Sequence, residues 1–152
     1  MAAKPKEKIT LRMAKATDVI ALYDLLKVYF ELNSDYPRPV DIETIAWGLT
    51  IINAMGAVLA VNSKGEIVGS LGVEQGAFPW NRGVPYLNMV WIYVKPERWR
   101  GVVANQLIQA AKDIAAARKM MLRMDNIWGV EADLQDRWRQ QNGFKYMGGN
   151  HV

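Results

Sequence analysis

The sequence predicts an α/β fold in which a mixed, mostly antiparallel central sheet is flanked by about four helices. Three observations carry this. Apolar residues switch repeatedly between a spacing of two and a spacing of three to four along the chain. The stretch Asn62-Ser63-Lys64-Gly65 separates two apolar runs and marks a β-hairpin. An apolar run ending at Pro96 passes through a short basic loop straight into a helical pattern, which joins a strand to a helix.

Taken in order, Ile9, Leu11 and Met13 alternate with polar neighbours and predict a first strand with one buried face. Thr17 is an N-cap candidate for a helix in which Val19, Leu22, Tyr23, Leu26 and Phe30 form the apolar face. Pro37 and Pro39 end that pattern. Asp41 is the cap candidate of a second helix carrying Ile42, Ile45, Leu49 and Ile52. The hairpin strands follow as Ala57 to Val61 and Ile67 to Glu74. Gln75 to Val84 contains Gly76, Pro79 and Gly83 and reads as a loop, with Phe78 and Trp80 as packing residues or pocket walls. Tyr86 to Val94 is the next strand. From Gly101 a helix presents Val103, Leu107, Ala110, Ala111 and Ile114 on one stripe. Met120 to Met124 is a short apolar strand. Ile127, Val130, Leu134 and Trp138 mark a last helix that stops at Asn142-Gly143, before a short final strand. The order is β-α-α-β-β-β-α-β-α-β, without an internal repeat.

A chain of 152 residues suits one domain, residues 1–152. Folding at that size buries about 70% of the unfolded surface, enough for a core without staples. The absence of Cys excludes disulfides, thiolate metal sites and a thiol nucleophile. The single His is His151, which argues against a zinc site or a His-based catalytic centre, so no metal is expected. The charged opening Met-Ala-Ala-Lys-Pro-Lys-Glu-Lys lacks the apolar core of a secretory signal, and a cytoplasmic protein is expected. Thr44 to Ser63 has no charge over 20 residues. Its polar residues and the break at Asn53-Ala54-Met55-Gly56 favour a helix followed by a strand over a membrane span.

The net charge of +4 is unevenly spread. Residues Lys95 to Arg123 carry +5, whereas Glu31 to Glu43 carry −3 through Glu31, Asp35, Asp41 and Glu43 against Arg38. Most of these are ordinary solvated surface charges. The functional reading is a basic cofactor side and an acidic substrate entrance.

The strand-loop-helix unit Val94-Lys95-Pro96-Glu97-Arg98-Trp99-Arg100-Gly101-Val102-Val103-Ala104 aims backbone N–H groups and the positive end of a helix dipole at whatever lies before it. Arg98 and Arg100 add full charges, and Gly101 permits close approach to the backbone. It reads as a phosphate cradle. Arg98-Trp99-Arg100-Gly101-Val102-Val103 resembles the Gln/Arg-x-x-Gly-x-Gly/Ala loop of the GNAT superfamily, the acyl-CoA-dependent N-acyltransferases. Val103 departs from the last small position. Either Ala104 takes its place in a shifted loop, or the phosphates bind less closely. The element order is that of the GNAT fold over nearly the whole chain. Val94-Lys95-Pro96 is similar to the family's Val-x-Pro strand end, and Asn142-Gly143-Phe144 resembles its Gly-Phe. The chain stops nine residues after Gly143. The family's further strand is therefore expected to be very short, absent, or supplied by a partner chain, and a homodimer is an expectation drawn from the family.

The resemblance implies acetyl-CoA as co-substrate and a primary amine as acceptor, either a cationic small amine or a Lys or N-terminal amine of a protein. It assigns the pantetheine arm to the backbone of Trp91 to Val94, with the N–H near Ile92 or Tyr93 as oxyanion donor. The pyrophosphate falls to Arg98 through Ala104. The position of the family's usual acid Tyr is occupied by Arg139, which can stabilise a thiolate but does not give up a proton. The carboxylate position on the strand before the loop aligns near Asn88, which can position a water. Glu74 is the nearest carboxylate, and Tyr86 or Tyr93 offers a phenol. Each of these is equally readable as a strand residue satisfied by its neighbours. The acidic loop, with Glu31, Asp35, Tyr36 and Asp41, falls where the family admits its acceptor. The competing reading is a non-catalytic GNAT-fold binding or inhibitory protein, motivated by Arg139, Asn88 and Val103. Nucleic-acid binding through the basic stretch is disfavoured, because no single-strand stacking motif accompanies it.

Overall fold

The computed structural model describes residues 8–31, 37–95, 102–124, 146–147 and 150–151. Strands β1 (Thr10–Met13), β2 (Ala57–Val61), β3 (Ile67–Phe78) and β4 (Asn81–Val94) pair antiparallel in succession, and β5 (Met121–Met124) pairs parallel to β4. The very short strands β6 (Tyr146–Met147) and β7 (Asn150–His151) complete a seven-stranded sheet of order β1-β2-β3-β4-β5-β7-β6. The helices are α1 (Val19–Glu31), α2 (Asp41–Asn53) and α3 (Val102–Ala117). The sheet is mixed and mostly antiparallel, as expected. Its parallel pair, β4 and β5, is joined through α3, because parallel neighbours require a crossover. The predicted helix from Ile127 to Trp138 lies outside the described residues.

The first hairpin is set by local chemistry. Asn62 Oδ1 accepts from the Lys64 and Glu66 N–H groups at 3.0 and 2.9 Å, and Gly65 takes a φ of 81°. The second hairpin corrects the sequence reading, since most of Gln75 to Val84 is strand and only the tip around Pro79 and Trp80 turns. Gly76 does not break the strand because the Tyr86 ring lies over it from β4. A Cβ on Gly76 would stand 2.7 Å from that ring. Pro85 lies just beyond the last residue paired to β5, at an edge where a missing N–H is tolerated. Since β2 ends its pairing at Gly72 and β5 begins at Tyr86, the rest of this hairpin projects as a two-stranded arm.

Both predicted caps are also corrected. A 3-10 turn over Ala16–Asp18 precedes α1, and Asp18 rather than Thr17 receives the Lys15 N–H, at 2.7 Å. Asp18 also binds Arg12 at 2.7 Å, and this fixes the turn. Asp41 is the first residue of α2 and Val40 the residue before it. A valine side chain cannot cap, and the Val40 carbonyl instead accepts from the Thr44 hydroxyl at 2.9 Å.

One face of the sheet packs on α3 and the other on α1 and α2. Opposite Gly72 and Val73, β4 carries one extra residue: Trp91 pairs with Gly72 and Met89 with Val73, so Val90 is a bulge. The bulge reverses the alternation of side chains. Leu87 and Met89 face α3 before it, and Ile92 and Val94 face α3 after it. Val90, Trp91 and Tyr93 turn to the α1/α2 face. There Trp91 is buried edge-on against Trp47, with ring centres 5.1 Å apart.

Candidate active site

The β4–β5 ladder runs from Tyr86 opposite Met121 to Met89 opposite Met124 and stops, whereas β4 continues to Val94. Among the described residues no strand pairs with Val90–Val94 on that side. The Lys95 N–H donates to Val68 O on β3 at 2.8 Å. Peptide groups alternate direction along a strand, so Tyr93 also faces β3, whereas Ile92 and Val94 turn theirs to the opened side. The bulge and the parting of the strands occur at the same place, and together they produce a backbone edge with donors and acceptors beside a hydrophobic floor.

The N-terminus of α3 stands on the sheet face occupied by Ile92 and Val94. Its first N–H groups have no intrahelical acceptor, and the helix dipole makes this end positive. Val103 is 1% exposed and belongs to the core, so its bulk is absorbed by the sheet, while Val102 is exposed and Ala104 half-buried. Arg98, Trp99, Arg100 and Gly101 lie outside the described residues.

On the α1/α2 face, Glu74 on β3 stands directly opposite Asn88 on β4, and Asn88 directly opposite Arg123 on β5. These residues form a row across three strands. Neighbouring strands are about 4.8 Å apart. Glu74 is exposed, and Asn88, Arg123 and Tyr93 are half-buried. In the adjoining row the Arg123 guanidinium lies 4.4 Å from the centre of the Tyr86 ring, a cation–π contact. Thus Glu74, Asn88 and Tyr86 come together, and Tyr93 follows on the same face beyond the bulge. Arg123 is the residue that sequence reasoning counted only as a positive charge. Its place depends on the parallel β4–β5 register, which leaves no local signal. Arg139 lies outside the described residues.

The acidic stretch is only partly described. Glu31 ends α1 and is exposed, whereas Asp35 and Tyr36 lie outside the described residues. Asp41 accepts a hydrogen bond from the Tyr23 hydroxyl, which ties the start of α2 to α1. That bond above all, with some desolvation and the Asp41 charge, pushes the Tyr23 phenol up to about 12. Among the described residues no group of three or more His, Cys, Asp or Glu is placed to hold a metal, and no helix is long and apolar enough to cross a membrane.

Residues 19–137 match the family model described as the acetyltransferase (GNAT) family. No curated protein matches the chain significantly. Among solved structures it is similar to an aminoglycoside N-acetyltransferase, AAC(6')-Iy, in complex with CoA, with a TM-score of 0.74 and 18% identity over 96% of this chain and 93% of that one. A predicted acetyltransferase with acetyl-CoA from Clostridium acetobutylicum gives a TM-score of 0.73 and 15% identity over 93% of this chain and 92% of the other. An agmatine N-acetyltransferase in its apo form gives 0.74 and 12% identity over 92% and 84%. At such identities the likeness is one of fold.

Proposed function

Because the chain belongs to the GNAT family of acetyltransferases, we propose that residues 1–152 form one domain that moves an acetyl group from acetyl-CoA to a primary amine. The observation that carries this reading is the parting of β5 from β4 after Met89, which leaves the Ile92 and Val94 peptide groups facing an opened edge next to the positive end of α3. The pantetheine arm has amides that pair with such an edge as a strand would. The diphosphate takes the α3 N-terminus and the loop with Arg98, Trp99, Arg100 and Gly101.

The acceptor amine approaches on the face that holds Glu74 and Asn88. An alkylammonium has a pKa of roughly 10, so it must lose a proton before its lone pair attacks the thioester carbonyl. Glu74 takes that proton, directly or through a water held by Asn88. The C–N bond forms, and the oxygen of the tetrahedral intermediate is held by the Ile92 N–H, which points to the opened side. The C–S bond then breaks. The CoA thiolate is protonated from Tyr93, with Arg139 as an alternative stabiliser of its charge. Holding both reactants at contact distance supplies much of the rate even without strong acid–base assistance.

Calorimetric titration with acetyl-CoA and with CoA tests the reading, with Gly101→Glu as the control. Binding by the wild type and not by the variant is expected, followed by acetylation of an amine. Failure of the wild type to bind either ligand would overturn it.

A further inference from the structure

Two exposed apolar surfaces lie outside the core, one on the arm and one on the helices. Residues Asn81–Pro85 of β4 precede its first rung with β5, so the arm reaches about 17 Å past that rung. At its tip Trp80 is 82% exposed, and Val84 is 45% exposed. Phe78 backs Trp80 at 5.1 Å, Tyr86 backs Phe78 at 5.0 Å, and the Arg123 guanidinium lies over Tyr86 and Phe78 at 4.4 and 5.7 Å. Trp80 is thus a ring held in place by its neighbours, the form an interface anchor takes. From Gln75 to Pro85 the arm carries Arg82 and no acid. The second surface surrounds the Tyr23–Asp41 hydrogen bond, which sets the start of α2 beside α1. Ile20, one turn before Tyr23, is 57% exposed, and Ile42, next to Asp41, is 77% exposed. Helices α1 and α2 carry Asp24, Glu31, Asp41 and Glu43 against Lys27, with Arg38 just before α2.

We infer that these surfaces are the two halves of one contact between two copies of this chain, the arm tip of each copy lying on the α1/α2 surface of the other about a two-fold axis. Trp80 and Val84 meet Ile20 and Ile42, and Arg82 meets the acids beside them. Each half is complementary to the other and not to itself. Arm on arm would bring two Arg82 charges together, and helices on helices would oppose acid to acid, whereas arm on helices joins opposite charges. Area points the same way. A contact led by one aromatic side chain of about 150–250 Å² falls short of the roughly 1,200–2,000 Å² that a stable interface buries. The two-fold axis doubles it and closes the pair, while the same contact without that axis would run on as a filament. A lipid surface could take Trp80 and Arg82 but would leave Ile20, Ile42 and the acids around them without a role. The pairing stands whether or not the chain transfers acetyl groups.

Sedimentation equilibrium of the full chain over a range of concentrations is the test. The wild type is expected to reach twice its chain mass of 17.2 kDa. Trp80→Ala and Ile42→Ser each weaken association about tenfold or more, the loss typical of an interface anchor. Both positions are exposed, so far-UV circular dichroism stays as in the wild type. An equimolar mixture of the two variants associates more tightly than either alone, because the mixed pair keeps one intact contact, the arm of the Ile42→Ser chain on the helices of the Trp80→Ala chain. A monomer at every concentration, a polymer that grows with concentration, a dimer indifferent to Ile42→Ser, or a mixture no tighter than its parents would each overturn the inference. A monomer that sediments with phosphatidylcholine–phosphatidylglycerol vesicles, and loses them on Trp80→Ala, would overturn it as well and assign the arm to a lipid surface.

Discussion

Trp91 lies flat across Gly72, with three of its ring atoms 2.5–2.6 Å from the position a Gly72 Cβ would take. Its indole Nε1–H donates to Ser70 Oγ at 3.0 Å, and Ser70 donates in turn to Val58 O at 2.9 Å. This contact holds the bulge that turns Ile92 to the other face. Gly72→Ala forces the ring away, and overpacking of this kind costs about 1–3 kcal/mol. Ser70→Ala leaves the indole N–H buried without its acceptor, at a cost of about 1–3 kcal/mol. Urea unfolding should show lower midpoints for both at unchanged slope. Gly72→Ala should also weaken acetyl-CoA binding. An unshifted midpoint for Gly72→Ala would mean that the ring has room to move.

Val102 is the first residue of α3 and 67% exposed. A carboxylate there favours the helix by about 0.3–1 kcal/mol through its dipole, yet it repels a diphosphate. Val102→Glu is therefore expected to raise the melting temperature slightly while lowering CoA affinity at least about tenfold, the reverse of what a damaged fold would do. Calorimetry beside a thermal melt reads both quantities. Retained CoA affinity would move the diphosphate away from this helix end.

If Glu74 accepts the proton of the amine, Glu74→Gln lowers kcat/KM by about 10²–10⁴ and leaves the KM for acetyl-CoA unchanged. Its carboxylate is exposed, so the substitution should not alter the fold. Raising the pH should restore part of the lost rate, because more of the amine is then already neutral. A variant as active as the wild type at neutral pH would assign the proton to another group.

Arg12 and Asp18 form an ion pair whose Nη1–Oδ2 and Nη2–Oδ1 contacts measure 2.7 and 2.9 Å. The hydrogen bond from Arg12, more than any other cause, lowers the Asp18 carboxyl to about 2, with the Lys15 N–H contributing. The folded value lies below the unfolded one of about 3.9, so this stabilisation is present above about pH 4 and is lost as the pH falls toward 2. Water screens a pair this exposed, which limits its worth to about 0.5–1 kcal/mol. Asp18→Asn should flatten that part of the stability–pH curve, measured by urea unfolding from pH 2 to pH 5. An identical curve for the variant would show that the pair adds nothing.

What could be read from the sequence alone was whatever depends on neighbours in the chain. The turn at Asn62 to Gly65 is closed by bonds spanning at most four residues, and the stripe of α3 by a period of 3.6, so both are written locally. The family resemblance belongs to the same class, because it rests on contiguous motifs and on element order. Tertiary structure decided what depends on pairing across strands. Gly76, Pro79 and Gly83 carry the local marks of a loop, but the Tyr86 ring over Gly76 and the β3–β4 ladder keep the arm extended. One extra residue at Val90 exchanges the two faces of β4, and no composition reveals which residue will be the extra one. Glu74, Asn88 and Arg123 stand far apart in the chain and meet only because an antiparallel and a parallel register align on Asn88. The physical reason is the same in each case. A residue's periodicity reports which side of its own element it occupies, whereas a site is made where elements meet, and that is set by register and packing over long range.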